Sequence, residues 1–314
     1  MNDANDKTVD VLGLGCAAVD DLLYVTSFPR ADRKAPVLRR VRKCGGLTGT
    51  ALVAASRLGA LCAYGGCLGP DEFSRHVEEN LRGEGIDVSR APREPDAGVV
   101  TSTIVVGEDT GSRNIFFETP PKVGAHPSLP SEEVLRSARV LFIDHLGMTG
   151  NLRAVGVARA AGIPVVADFE DATAPEFAEV LAGVDHLILS QEFACQVTGR
   201  SSAAGAGAAL WGAGRELVVV TCGAGGLWWV GGSTGGVARH LKAFEVKAVD
   251  TTGCGDVFHG AYAASLARGE GVEERLRYAA AAAALKAASG EIPRRAELEV
   301  FLKEQGIDPR ARPV

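Results

Sequence analysis

A chain of 314 residues with 46% hydrophobic residues is long enough for a large core, and its 39 glycines and 6% aromatics suit a compact α/β enzyme rather than a coiled or disordered chain. The formal charge of −6, from 33 basic and 39 acidic residues, excludes wholesale binding to nucleic acid or to an anionic membrane surface. Seven cysteines with no Cys-x-x-Cys pair, a polar start "MNDANDKTVD" and no uncharged apolar run of about 18 residues predict a soluble, cytoplasmic protein with reduced thiols.

In chain order, "VDVLGLG" (9–15) is a short apolar run closed by glycine, the pattern of a buried strand. "DLLYVTSFP" (21–29) is rich in β-branched residues and reads as a second strand type. The stretch 30–43, "RADRKAPVLRRVRK", holds seven basic residues and one acid. It reads first as a solvated face, with Arg42 or Lys43 as the residues that would meet an anionic substrate group. "TALVAASRLGA" (50–60) reads as a helix ending at Gly59, "AYGGCLG" (63–69) as a strand and "EFSRHVEENLRGEG" (72–85) as a helix.

"GVVTSTIVVGEDTGSRNIFFET" (98–119) turns at "EDTG" like an antiparallel hairpin, with Arg113 on its second arm. "VLFIDHLG" (140–147), "PVVADFE" (164–170), "HLILS" (186–190) and "LVVVTCG" (217–223) continue as strands, and His145 follows the first of them. The alanine run in "EERLRYAAAAAALKAA" (273–288) favours helix, and 306–314 reads as a loose tail. Alternating strands and helices predict a doubly wound, mainly parallel sheet with helices on both faces. The segments at roughly 16–44 and 97–119 are expected to form a small β-sheet lid on a single domain spanning 1–314.

The stretch 249–262, "VDTTGCGDVFHGAY", carries the chemistry. Glycine on either side of Cys254 permits a tight turn, and the run after it reads as helix, so amides converge on an anion site at the helix end. On its own, Asp256 also reads as an ordinary first-turn carboxylate. No G-x-x-x-x-G-K-[ST] is present. "GLGCAA" (13–18) has dinucleotide-like spacing, yet a strand rather than a helix is predicted after it.

"DTTGCGDVFHGA" resembles the C-terminal signature of the ribokinase family, the PfkB carbohydrate kinases, and "CGGLTGTALVAASRLGA" (44–60) is similar to its N-terminal signature. The resemblance implies a ribokinase-like fold and an ATP- and Mg²⁺-dependent sugar kinase. It makes Asp256 the general base, with the amides of Gly253, Cys254 and Gly255 as the anion hole. It places Asp20, Gly45, Gly46 and Thr50 on the sugar, joined by Lys43, Arg113 and His145, and leaves Asp21 as a lid-base or solvent residue. It places Thr221, Gly223, Gly226, Ser190 and Thr251 on ATP.

The family's Asn-x-x-Glu falls on Ser190-Gln191-Glu192-Phe193, so both named positions are changed, and Glu192 is the remaining candidate for magnesium, through water. Leu47 and Thr50 stand where the family usually has asparagine, which argues against ribose itself. The short "KAASGEIPRRAE" (286–297) gives no ground for potassium activation.

Kinases of ketohexoses and their sulfonated relatives are closest in look. Sugar-phosphate or nucleoside kinases are the alternative, and a catalytically idle sugar sensor is the alternative of another class. The resemblance allows a homodimer through the lid, and the first-turn position of Cys254 predicts a thiol inclined to ionise.

Overall fold

The structure is a computed structural model and describes residues 7–212 and 214–307. The tail expected at 306–314 therefore lies, from 308 on, outside the described residues. The strands are β1 (Val9–Leu14), β2 (Ala18–Val25), β3 (Arg39–Gly45), β4 (Cys62–Tyr64), β5 (Val100–Gly107), β6 (Arg113–Glu118), β7 (Ala138–Asp144), β8 (Val165–Asp168), β9 (His186–Ser190), β10 (Leu217–Thr221), β11 (Leu227–Gly231) and β12 (Arg239–Leu241). The helices are α1 (Leu47–Arg57), α2 (Glu72–Gly83), α3 (Glu132–Arg136), α4 (Met148–Ala160), α5 (Phe177–Ala182), α6 (Gln191–Thr198), α7 (Ala203–Leu210), α8 (Cys254–Ala267), α9 (Val272–Ser289) and α10 (Arg295–Glu304).

Eight strands form the main sheet in the order β12-β11-β10-β9-β8-β7-β1-β4. From β4 to β10 neighbours run parallel, and β11 and β12 close one edge antiparallel. Side chains alternate between two apolar layers, because a strand covered on both faces has no polar side. Val11, Val140, Phe142, Val166 and Ile188 enter the layer under α1, α8, α9 and α10. Leu12, Leu141, Ile143, Val165 and Leu187 enter the layer under α3 to α7.

Helix α8 is buried from Val257 to Ser265 because α1 and α9 cover it on either side. Its Gly260 permits the close approach, since a Cβ there would stand 2.0 Å from the Ala51 carbonyl oxygen.

The remaining four strands form a separate sheet in the order β3-β2-β5-β6, with β2 and β5 parallel and both outer pairs antiparallel. β1 passes through a three-residue link directly into β2, so this sheet begins where the parallel strands end. A strand rather than a helix follows "GLG", which removes the dinucleotide-like reading. The basic stretch 30–43 is in part a strand, β3, and 63–69 is a strand only as far as Tyr64.

Candidate active site

The carboxyl ends of β7, β8, β9 and β10 bring Asp144, Asp168, Ser190 and Thr221 to one side of the sheet, where α/β folds place ligands. α8 starts on the same side. Gly253 takes a left-handed backbone (φ 73°) at its N-terminus, which lets the chain turn sharply into the helix. The first amides of a helix have no intrahelical acceptor, so the turn aims donors outward. Cys254 N bonds to Thr251 O at 3.3 Å, so of the three expected amides this one is already engaged.

A cleft of about 420 Å³ runs between this turn and the small sheet. Its walls include Asp256 and Gly253 from the turn, Asp20, Lys43 and Gly45 from the small sheet, and Gly46 and Thr50 at the head of α1. Asp20 accepts a hydrogen bond from Ser102, its neighbour across β2 and β5, and faces Gly45. Asp21 points elsewhere and holds Arg42 in a two-pronged ion pair, both contacts 2.8 Å. That separates the two aspartates: Asp20 lines the cleft and Asp21 is a partner of Arg42. Arg42 also reaches Glu72 at 3.5 Å, so its charge is largely spent and Lys43 is the cation of that stretch best placed for a ligand. Arg113 reaches from β6 across to the Thr252 hydroxyl, a neutral partner beside the turn.

Desolvation, followed by the neighbouring charge of Asp168, holds the Asp256 carboxyl well above the usual carboxylate range. Asp168 is raised as well, by burial first and then by Glu170 and Asp144. Asp144 is fully buried and accepts from Cys16 N (2.7 Å), Thr48 Oγ1 (2.8 Å) and Leu146 N (2.8 Å), tying β1, α1 and β7 together beneath the cleft. None of Thr48, Asp144, Asp168 and Lys286 is singled out by the sequence reading. The one signal for the two aspartates is position, since each is the last residue of a parallel strand.

Other expected residues lie apart. His145 is not among the cleft-lining residues, and its Nδ1 accepts from Glu170 N at 3.4 Å. Ser190 caps α6, its Oγ accepting from Phe193 N at 3.1 Å, an ordinary structural use of serine. Thr221 and Glu192 share a shallow depression with Gln191, Cys195, Ser201 and Cys222, while Gly223 and Gly226 shape the turn after β10. Thr251 is exposed beside α8. Burial pushes the Cys254 thiol up although Lys286 opposes it, so the expected ionised thiol is corrected: the half-buried side chain loses more to desolvation than the helix end returns.

No cluster of three or more His, Cys, Asp or Glu that could hold a metal occurs among the described residues, and no helix there is long and apolar enough to cross a membrane.

Known proteins share both the sequence and the architecture. The chain is similar to the ribokinase of Haemophilus influenzae, 29% identical over 315 residues that cover 95% of this chain and 99% of the relative. A crystal structure from Agrobacterium tumefaciens superposes with a TM-score of 0.87 at 25% identity, covering 95% of this chain and 98% of that one. A ribokinase from Arabidopsis thaliana, solved complexed with ribose and ATP, superposes with a TM-score of 0.83 at 21% identity, covering 94% of this chain and 99% of that one. Residues 10–291 match the profile of the pfkB family carbohydrate kinase, and the chain belongs to that family.

Proposed function

We infer that this carbohydrate kinase transfers the γ-phosphate of ATP to a hydroxyl of a monosaccharide, with a ketohexose-like acceptor favoured. The observation that carries the reading is the shared cleft: Asp256 at the head of α8 lines the same space as Asp20, Gly45, Gly46 and Thr50. In this reading Asp20 and the Gly45-Gly46 backbone orient the sugar, and Asp256 accepts the proton of the attacking hydroxyl. Burial and the neighbouring charge of Asp168 raise its proton affinity above that of a surface aspartate, which makes it a better proton acceptor. The helix-end amides stabilise charge on the transferring group.

The nucleotide fits the ends of β9 and β10, where Thr221 lines the depression and Gly223 and Gly226 shape the turn that follows. The Arabidopsis ribokinase, solved complexed with ribose and ATP, supports that choice through a shared fold. Glu192, exposed in the first turn of α6, is the carboxylate there that would hold Mg²⁺ through water, consistent with an ion carried mainly by the phosphates. Bound there, Mg²⁺ would neutralise triphosphate charge. No monovalent cation is invoked, because the Lys286 ammonium already stands against Asp250 beside the turn, at the edge of the cleft.

Lys43 and Arg113 favour a second acceptor class, sugars bearing a phosphate or sulfonate, since both cations border the cleft or its turn without a carboxylate contact. A homodimer through the small sheet, acting as a lid, is supported by β6, whose Ile115, Phe116 and Phe117 are 52%, 59% and 70% exposed.

An ATP-consumption screen over ketoses, aldoses, sugar phosphates, sulfonated sugars and nucleosides tests the reading. Turnover with a free ketose is the expected result. Saturable sugar binding without any ATP consumption would leave an idle sensor and overturn it.

A further inference from the structure

His259 lies one helical turn beyond Gly255 and is 3% exposed, walled by Phe142 and Phe258. Its two ring nitrogens meet only oxygen. Nδ1 is 2.8 Å from the Gly255 carbonyl oxygen and 3.2 Å from Asp168 Oδ2, and Nε2 is 3.0 Å from the Ile188 carbonyl oxygen. Carbonyl oxygens only accept, so a neutral ring would leave one nitrogen lone pair facing a carbonyl oxygen, that of Ile188 in one tautomer and that of Gly255 in the other. The arrangement is complete when the ring donates from both nitrogens, to the two carbonyls and to an ionised Asp168. In that form the pair carries no net charge.

Burial lowers the proton affinity of the ring and, with Glu170 and Asp144, raises that of Asp168, while the Ile188 and Gly255 carbonyls favour the charged ring, so it is the hydrogen-bond geometry that places the proton on His259 beside Asp168. The charged groups facing the pair are Asp144 at the end of β7, Glu170 beyond β8 and Asp256 on α8. From β9 the contact is the neutral Ile188 carbonyl.

We propose that Asp168 and His259 are a proton-holding pair that positions the 253–256 turn and sets the charge felt by Asp256. Through the His259 bond the pair fixes the Gly255 carbonyl. That carbonyl shares a rigid peptide unit with the amide of Asp256, so fixing one end orients a donor of the helix end. The proposal rests on Asp256 being the base, and both residues act through it as positioning residues.

Two measurements test it. In profiles of kcat/KM against pH, Asp168→Asn removes a negative neighbour and is expected to move the acid limb down by about one pH unit, while His259→Gln removes the positive partner and moves it up by roughly half a unit or more. Variants that lose rate with both limbs unmoved would overturn the proposal. The second measurement needs no variant: ¹⁵N NMR of the imidazole in the full-length protein should show Nδ1 and Nε2 both protonated or strongly hydrogen-bonded through neutral pH. A free, unprotonated Nδ1 would overturn it. Failure of the base assignment would show separately, as near-normal turnover of Asp256→Asn.

Discussion

Lys286 Nζ lies 3.4 Å from Asp250 Oδ2, and both residues line the cleft beside the helix-end turn. Asp250 also accepts from Thr252 N at 2.9 Å, and the backbone amides of Val249 and Asp250 donate to the Ala287 carbonyl oxygen, so the last turns of α9 grip the start of the turn. The lysine side chain is 8% exposed and the aspartate 36%, so the pair is screened only in part. Replacing Lys286 by Met should lower kcat about tenfold, equivalent to ~1.4 kcal/mol of transition-state stabilisation, with a fall in melting temperature and partial recovery in Lys286→Arg. Steady-state kinetics with calorimetry check this. Added potassium should change the wild-type rate by less than about twofold, as expected where a fixed ammonium already supplies the charge.

Asp256→Asn should separate activity from stability. Loss of a general base lowers turnover by at least about a hundredfold. Stability should move the other way at neutral pH. A carboxyl whose proton affinity is raised by folding stabilises the folded state below its unfolded pKa, and that contribution is lost as pH rises through the folded value. Burial makes the ionised carboxylate costly in the folded state, and the neutral amide relieves that cost. The variant should melt roughly 2 °C higher or more, for a gain on the order of 1 kcal/mol in a chain of this size. Equal or lower stability would show that desolvation of Asp256 is not the dominant cost there.

The alternation of apolar strands and helices already specified a doubly wound sheet, because period and punctuation are local. Gly253, Asp256 and the Gly45-Gly46 pair were equally legible, being contiguous motifs. The aspartates at 144 and 168 were not: each looks like a polar end to an apolar run, and only the strand order β8-β7-β1 puts them under one turn. The division between Asp20 and Asp21 was hidden for a related reason. It depends on cross-strand register, which sets Asp20 beside Lys43 and Ser102 while the side chain of Asp21 goes to Arg42. Cys254 shows a local rule losing to packing, since a helix start favours an ionised thiol but this one is half-buried.

Asp144 offers a test of stability with little ambiguity. Its carboxyl accepts from two backbone amides and the Thr48 hydroxyl, with no exposure to solvent. Asp144→Ala leaves two buried donors and one part-buried donor without an acceptor, which should cost about 3 kcal/mol or more in denaturant unfolding. Thr48→Val removes one of these bonds while keeping shape and should cost about 1 kcal/mol. If Asp144→Ala were no worse than Thr48→Val, the carboxyl would not be the junction between β1, α1 and β7.

Cys254 should react slowly. With burial raising its thiol, a maleimide reagent near neutral pH should modify it more slowly than a solvent-exposed thiol, since the thiolate is the nucleophile. Cys254→Ala should retain activity, because the turn contributes backbone rather than side chain at that position. Rapid alkylation of Cys254, read by peptide mass mapping, would show that the helix end outweighs burial after all.

The outer strand β6 is exposed along its whole length, and an edge strand carrying Ile115, Phe116 and Phe117 invites pairing with another chain. A second copy joined through this sheet would cover those side chains while leaving the main sheet untouched. The expected mass in solution at micromolar concentration is therefore twice 32.6 kDa. Placing a lysine at Phe117 on each copy should shift the equilibrium to monomer without lowering the melting point of the chain, since the replaced side chain is 70% exposed and packs little within its own subunit. Sedimentation equilibrium of the wild type and Phe117→Lys decides it. A wild type that stays monomeric up to roughly 100 μM, well above the dissociation constant of a specific dimer, would leave β6 a bare edge and remove the dimer from the account.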